Sequence, residues 1–379
     1  MDFQLTKEQK MVQKMIRDFS KGEIEPVAAE IDEDERFPLD IIKQMARYGL
    51  MGMPFPKEYG GSGADSISYA IVMEELSKAY TAIGTIVAAH TSLCAWPIYA
   101  FGTEEQKQKY LVPLAKGEHL GAFGLTEPNA GSDAAAQQTV AKDMGDHWLI
   151  NGSKVFITNG GYADTFVCFA MTDKSKGTKG ISAFIIEKSD EGFSIGKTEE
   201  KLGIRASSTT ELVFQDCKIP KERLLGKLDQ GFKVAMATLE GGRIGIAAQA
   251  VGVAQGAFDL TVEYMKQRKQ FGKRLSKFQY LAFEMAEMAT KIKASRLMVY
   301  EAADLKDRHL PHALNSAMAK YYAAETAMQV ATKGLQFHGG YGFIKDYAIE
   351  RYFRDAKITE IYEGTSEVQK LIISSSIFR

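Results

Sequence analysis

The sequence predicts an α+β fold in three successive parts: helical, then β-rich, then helical again. Three observations carry this. Apolar residues recur at helical spacing up to about residue 119, and again from about residue 226. Between those limits, short runs of β-branched and aromatic residues are broken by turn residues. The strand-like runs are clustered instead of interleaved with helices, which excludes both an alternating βαβ fold and a plain bundle. The expected domains are therefore 1–119, all helical; 120–225, β; and 226–379, helical.

In chain order, Thr6-Lys7-Glu8-Gln9 is a capping-box pattern, and Met11, Val12, Met15, Ile16 and Phe19 follow at helical spacing. A second helix is expected from Pro38 to Gly49, then a Pro- and Gly-rich loop from Pro54 to Gly63. Helical patterns return at Ile67–Ser77 and Thr85–Ala100, and a capping box at Thr103 to Gln106 opens a helix ending near Lys116. Strands are expected at Trp148–Ile150, Lys154–Thr158, Phe166–Met171, Ile181–Glu187 and Glu211–Phe214, with Asn151-Gly152 as a hairpin turn. Gly245–Gly256 is rich in small residues and permits close helix contacts. A third capping box is read at Ser276 to Gln279, and Pro311 opens a helix running to about Phe337.

A net charge of −1 argues against nucleic-acid partners and against an anionic membrane surface. No stretch is expected to reach the roughly 20 apolar residues that span a bilayer. The segment Met1 to Thr6 resembles neither a secretory signal nor a transit segment, so a cytoplasmic protein is expected, although a mature organellar form with its leader trimmed would read the same. Cys94, Cys168 and Cys217 lack partner spacing and suit a reducing compartment; no metal site is expected. His309 and His312 flank Pro311 and read as surface residues. Gly192 to Thr198 approaches a phosphate loop, but its glycines are too close and Asp190-Glu191 would repel phosphate.

Three segments carry candidate chemistry. Gly124-Leu125-Thr126-Glu127-Pro128-Asn129-Ala130-Gly131-Ser132-Asp133 follows the apolar run Leu120–Phe123 and can offer hydroxyl and N–H donors, or can simply be a capped turn. Gln336-Phe337-His338-Gly339-Gly340-Tyr341-Gly342-Phe343 allows close backbone approach to a ligand, or ends a helix. In Ile361-Tyr362-Glu363-Gly364-Thr365-Ser366-Glu367, Thr365 or Ser366 can cap the helix begun by Val368, Leu371 and Ile372. Glu363, in an apolar pocket beside Tyr362, would have the raised pKa a general base needs.

Together these segments resemble the acyl-CoA dehydrogenase family, most closely its short-chain, butyryl-CoA branch. Gly124–Ala136 and Gln336–Asp355 match its signatures, with Asp346, Arg351 and Asp355 in place, and the likeness covers essentially the whole chain. The resemblance implies N-terminal helices, a central antiparallel β domain and a C-terminal four-helix bundle around FAD and an acyl-CoA. It implies Glu363 as the catalytic base. It places Phe123, Leu125, Thr126, Gly131, Ser132, Phe156 and Thr158 at the flavin. Arg268, Phe271, Phe278, Gln279, Gln336, Gly339 and Gly340 are implied as further cofactor contacts, partly across subunits, with Thr365 and Glu367 at the adenosine side. Read alone, Arg268 is a solvated charge, and Gln279 equally closes the box at Ser276.

Ser132, Glu240, Arg243, Tyr362 and Gly364 are implied as substrate contacts; alone, Glu240-Gly241-Gly242-Arg243 reads as a helix interrupted by two glycines, and the family more often has Asp at position 240. A shared cofactor implies a homotetramer, and the expected electron partner is an electron-transferring flavoprotein. The isovaleryl-type branch carries its base immediately before the substrate arginine; here that residue is Gly242. The alternatives are an acyl-CoA oxidase using O₂ and a non-catalytic acyl-CoA or flavin-binding subunit.

Overall fold

The computed structural model describes residues 4–378. Thr6 and Gln9 exchange the two expected capping bonds, satisfying helix-end donors that would otherwise be orphaned. They open α1 (Lys7–Phe19), followed by α2 (Ala28–Glu33), α3 (Leu39–Arg47), α4 (Ser66–Ala79), α5 (Thr81–Phe101) and α6 (104–116). The sequence reading has no counterpart of α2, whose six residues are too few to show a period. The box at Thr103 and Gln106 forms as expected, and α6 stops at Lys116.

α5 corrects one expectation. Its 21 residues are long and apolar enough, by length and composition, to cross a bilayer. Hydroxyls and a histidine interrupt the run and mask its length in the sequence. In the fold 94% of its apolar window is buried inside the protein, so α5 is a core helix. Several of its polar groups are met internally: Thr85 Oγ1 donates to the Thr81 carbonyl and Thr91 Oγ1 to that of Met51.

The sheet runs β6 (Phe193–Thr198), β7 (Thr209–Pro220), β3 (His147–Thr158), β2 (Val140–Asp143), β4 (Thr165–Met171), β5 (Ile181–Glu187) and β8 (Leu224–Leu225), with β1 (Gly121–Gly124) added on β4. It is antiparallel except at β1–β4 and a single β2–β4 contact, which are parallel. The main pairings are thus antiparallel, as the family resemblance implies, and the two parallel contacts are additions on β4. The segment that approached a phosphate loop is strand β6.

Asn151-Gly152 is not a hairpin turn. Trp148–Ile150 and Lys154–Thr158 belong to one continuous strand, β3, with a register shift against β7 between Ile150 and Gly152. Asn151 Nδ2 donates to Asp216 and its Oδ1 accepts the Asp216 N–H, so the Asn spans the irregularity. A Cβ at Gly152 would lie 2.5 Å from Thr139 Oγ1, which explains the glycine as close packing. The hairpin turn lies before β3, where the Met144 N–H donates to the His147 carbonyl.

The C-terminal part holds α7 (Gly231–Gln267), α8 (Gln279–Asp307), α9 (Ala313–His338), α10 (Ile349–Ile358) and α11 (Ser366–Ile377). The fourth place of the bundle is divided between α10 and α11, both packed on α9. α7 runs unbroken through Gly241-Gly242, where an interruption was expected. The box at Ser276 does not form. Ser276 lies inside a 3-10 turn, and Phe278, extended at φ −87° and ψ 118°, is the N-cap instead.

A buried polar network joins the three parts. The Asp355 carboxylate of α10 accepts the Ile204 N–H of the β6–β7 loop at 2.5 Å. Tyr80, between α4 and α5, donates to Asp32 at 2.8 Å and accepts the Ala206 N–H. Arg354 closes the loop on Asp32 at 2.7 Å. Burial pushes the Asp355 carboxyl up to about 6.

Candidate active site

Loop, strand and helix ends meet at a cavity of about 320 Å³ between the three parts. The loop after β1 supplies Leu125, Thr126, Gly131 and Ser132, with Phe123 from β1 itself. Its shape is set by Pro128-Asn129, across which Glu127 and Ala130 exchange backbone hydrogen bonds. Beneath it lies a buried ion pair: Lys154 Nζ sits 2.7 Å from Glu127 Oε1 and also donates to the Leu125 carbonyl and Gln137 Oε1. Glu127 further accepts the N–H groups of Gln138 and Thr139. Burial alone would raise the Glu127 carboxyl, but the Lys154 ammonium and these donors bring it below the ordinary carboxylate range.

β3 supplies Phe156, Ile157 and Thr158. A second register shift against β7, between Lys154 and Ile157, places Phe156 at φ 60°, the kind of irregularity that re-aims a side chain beside a site. The ring lines the cavity while remaining 64% exposed. An accessible aromatic face beside the hydroxyls of Thr126 and Thr158 is what a flat, polar-edged ring system such as a flavin would fit.

The rest of the lining comes from α5 (Thr85, Ala88, Leu93), α7 (Phe232, Met236, Leu239, Arg243, Ile246) and the turn between α10 and α11. That turn holds Tyr362, Glu363 and Gly364. Glu363 has φ 51° and Gly364 φ 93°. For glutamate this left-handed conformation costs about 1–3 kcal/mol and survives only where surrounding bonds fix it. They do so here: Gln369 Nε2 donates to the carbonyls of Glu363 and Gly364, and the Tyr362 hydroxyl donates to buried Gln249. Thr365 caps α11 by accepting the Val368 N–H, so the capping reading holds for it.

Glu363 Oε2 is buried without a hydrogen-bond partner, as is Arg243 Nε. Burial pushes the Glu363 carboxyl up to about 7, opposed by Lys320 and then Arg243. A carboxylate poised near neutrality and aimed into an apolar cavity is equipped to accept a proton from a weak carbon acid.

Eleven residues singled out in the sequence thus line one cavity: Phe123, Leu125, Thr126, Gly131, Ser132, Phe156, Thr158, Arg243, Tyr362, Glu363 and Gly364. A second, open cavity collects Arg268, Gln336, Gly339 and Gly340, and the Arg268 guanidinium lies 5.2 Å from the Tyr341 ring centre. Phe271 is 92% exposed at the tip of a short hairpin, in edge contact with Phe278. Phe271, Phe278, Gln279, Thr365 and Glu367 line neither cavity. Glu240 does not share the Glu363 cavity. It faces His312 at 3.7 Å beside a separate recess with Trp96, Lys306 and Asp307, so His312 is less of a surface residue than expected. Sequence reasoning missed Lys154, Gln369 and Lys320. The readable signal for Lys320 is its place on the stripe Ser316, Ala319, Ala323, Ala327, a cation among residues that are all buried.

The chain matches three acyl-CoA dehydrogenase family models: the N-terminal domain over residues 6–118, the middle domain over 122–217 and the C-terminal domain over 229–378. It is 64% identical to the short-chain specific acyl-CoA dehydrogenase of Clostridium acetobutylicum, over 100% of both chains. Among solved structures it matches butyryl-CoA dehydrogenase from Megasphaera elsdenii with a TM-score of 0.99, at 49% identity over 100% of both chains. A chain solved in work on the electron transferring flavoprotein of Acidaminococcus fermentans and flavin-based electron bifurcation matches with a TM-score of 0.99, at 54% identity over 100% of both chains. A cavity lined by both a carboxylate and the signature loop, on a fold matched from end to end, agrees with these likenesses: the chain belongs to the acyl-CoA dehydrogenase family of flavoprotein oxidoreductases.

Proposed function

We propose that the protein is an FAD-dependent dehydrogenase of short-chain acyl-CoA thioesters, of the butyryl-CoA to crotonyl-CoA type. Its electrons pass to an electron-transferring flavoprotein, and it works as a cytoplasmic homotetramer. The observation that carries the reading is the Glu363 carboxyl, unpartnered at Oε2 and raised to about 7, in the cavity that Thr126, Ser132, Phe156 and Thr158 also line.

The residues divide the work. Thr126, Thr158 and Phe156 would hold the flavin ring, and Ser132 would serve between the flavin loop and the CoA ester. When bound, FAD supplies the two-electron acceptor for the hydrogen lost from the β-carbon. Glu363 takes the α-proton, and its own backbone N–H donates to the thioester oxygen where charge develops. Leu93, Leu239 and Ile246 exclude water from the acyl chain, which raises the base further and strengthens every polar contact inside. The proposed domain limits remain 1–119, 120–225 and 226–379.

The deciding experiment is anaerobic. Purified protein should hold a yellow cofactor that butyryl-CoA bleaches, faster than long-chain thioesters do, and should yield little peroxide on admission of air. A colourless protein, or flavin untouched by every acyl-CoA tested, would reject the reading; abundant peroxide would favour an oxidase.

Arg268 tests the shared cofactor. Arg268→Ala removes a cation from the second cavity, and losing one charge-assisted bond of about 1.5–3 kcal/mol should weaken FAD retention roughly tenfold or more. Flavin content after gel filtration and mass by light scattering should both fall. Full flavin in an intact tetramer would place FAD elsewhere.

A further inference from the structure

Lys320 is fully buried on α9. A buried ammonium ordinarily faces a carboxylate. This one makes no salt bridge among the described residues and donates at 2.7 Å to the carbonyl of Gly364, the residue after the base. Gln369 Nε2 donates to the same carbonyl at 2.8 Å. Two donors from two helices thus fix a turn whose backbone is left-handed at both Glu363 and Gly364.

We propose that Lys320 is a positioning residue for the base: its ammonium clamps the Gly364 carbonyl, holding the turn that aims Glu363 into the cavity. The proposal rests on Glu363 being the proton acceptor. The charged and titratable groups that act on that carboxyl are Lys320 on α9 and Arg243 on α7; Tyr362 precedes it on its own turn, and Tyr69 on α4 feels its charge. Lys320 in turn feels Glu363, Arg243, Glu360 and Glu367, and burial pushes it down to about 8. Lys320 is the larger of the two influences that keep the Glu363 carboxyl from rising further. Its removal therefore raises the base, and the acidic limb of the pH profile moves to higher pH.

The test uses FAD-loaded Lys320→Gln, Lys320→Met and Lys320→Arg, with flavin content checked first. The Glu363 carboxyl is titrated directly by pH-difference infrared spectroscopy, its band assigned by loss in Glu363→Gln. The pH dependence of anaerobic flavin reduction by butyryl-CoA is measured in parallel. Lys320→Gln and Lys320→Met should raise the carboxyl titration by roughly one pH unit or more, and Lys320→Arg should restore it. Lys320→Met, with no donor for Gly364, should lose roughly 10²-fold at the pH plateau. Lys320→Gln, which keeps a donor, should lose less. A carboxyl titration unmoved in Lys320→Met overturns the proposal while leaving the base assignment intact. A wild-type profile that survives Glu363→Gln overturns the base assignment itself.

Discussion

Glu363→Gln should retain FAD and bind acyl-CoA yet lose at least roughly 10⁴-fold in the rate of flavin reduction. The amide matches the carboxyl in shape, so the turn held by Gln369 and Lys320 stays in place. What disappears is the proton acceptor. In the wild type the rate should rise with pH through about 7 as the carboxyl ionises. The same shift has a stability sign. A carboxyl that is higher in the folded chain than in the unfolded one binds its proton preferentially in the native state. Stability therefore falls as pH rises from about 4.5 to about 7. The cost above that window is up to roughly 3 kcal/mol, less what water in the cavity recovers. Glu363→Gln should accordingly melt higher than wild type at pH 8 and not at pH 4. Stopped-flow reduction and thermal scans at the two pH values check both halves; rapid reduction in the variant would place the base elsewhere.

Glu127→Ala should be the most destabilising single change at the flavin loop. It strands the Lys154 ammonium, fully buried, and leaves the N–H groups of Gln138 and Thr139 without their acceptor. Breaking one side of a buried pair costs about 3–5 kcal/mol, and each orphaned N–H about 1–3 kcal/mol more. The loop carrying Thr126 and Ser132 is the part most directly released, so bound flavin should be lost at temperatures where far-ultraviolet circular dichroism is still native. Adding Lys154→Met should recover part of the loss, because the stranded charge is then gone. A double-mutant cycle with no coupling would mean the pair does not brace the loop.

Much of this site was readable because its pieces are local. The segments at 124–133 and 361–367 each declare themselves by turn residues and hydroxyls packed into a few positions. The capping boxes at Thr6 and Thr103 likewise depend on contacts three residues apart. The misreadings share another cause. Asn151-Gly152 suits a tight turn, but pairing with β7 on one side and β2 on the other absorbed it into a strand. Ser276 lost its cap to the 3-10 turn in which it lies. Lys154 and Glu127 look like ordinary surface charges until the fold buries them. Glu240 and Arg243 lie three apart on one helix, yet the structure turns them to different cavities.

Gly242 leaves room for the acid that faces it. A Cβ built there would lie 2.4 Å from Glu363 Oε2. That oxygen is the mobile end of a long side chain, so an alanine at 242 would be admitted by a turn of the carboxylate and not by a break in the helix. The missing methyl at 242 is therefore what lets the acid rest where it does, and adding it would cost aim before it cost folding.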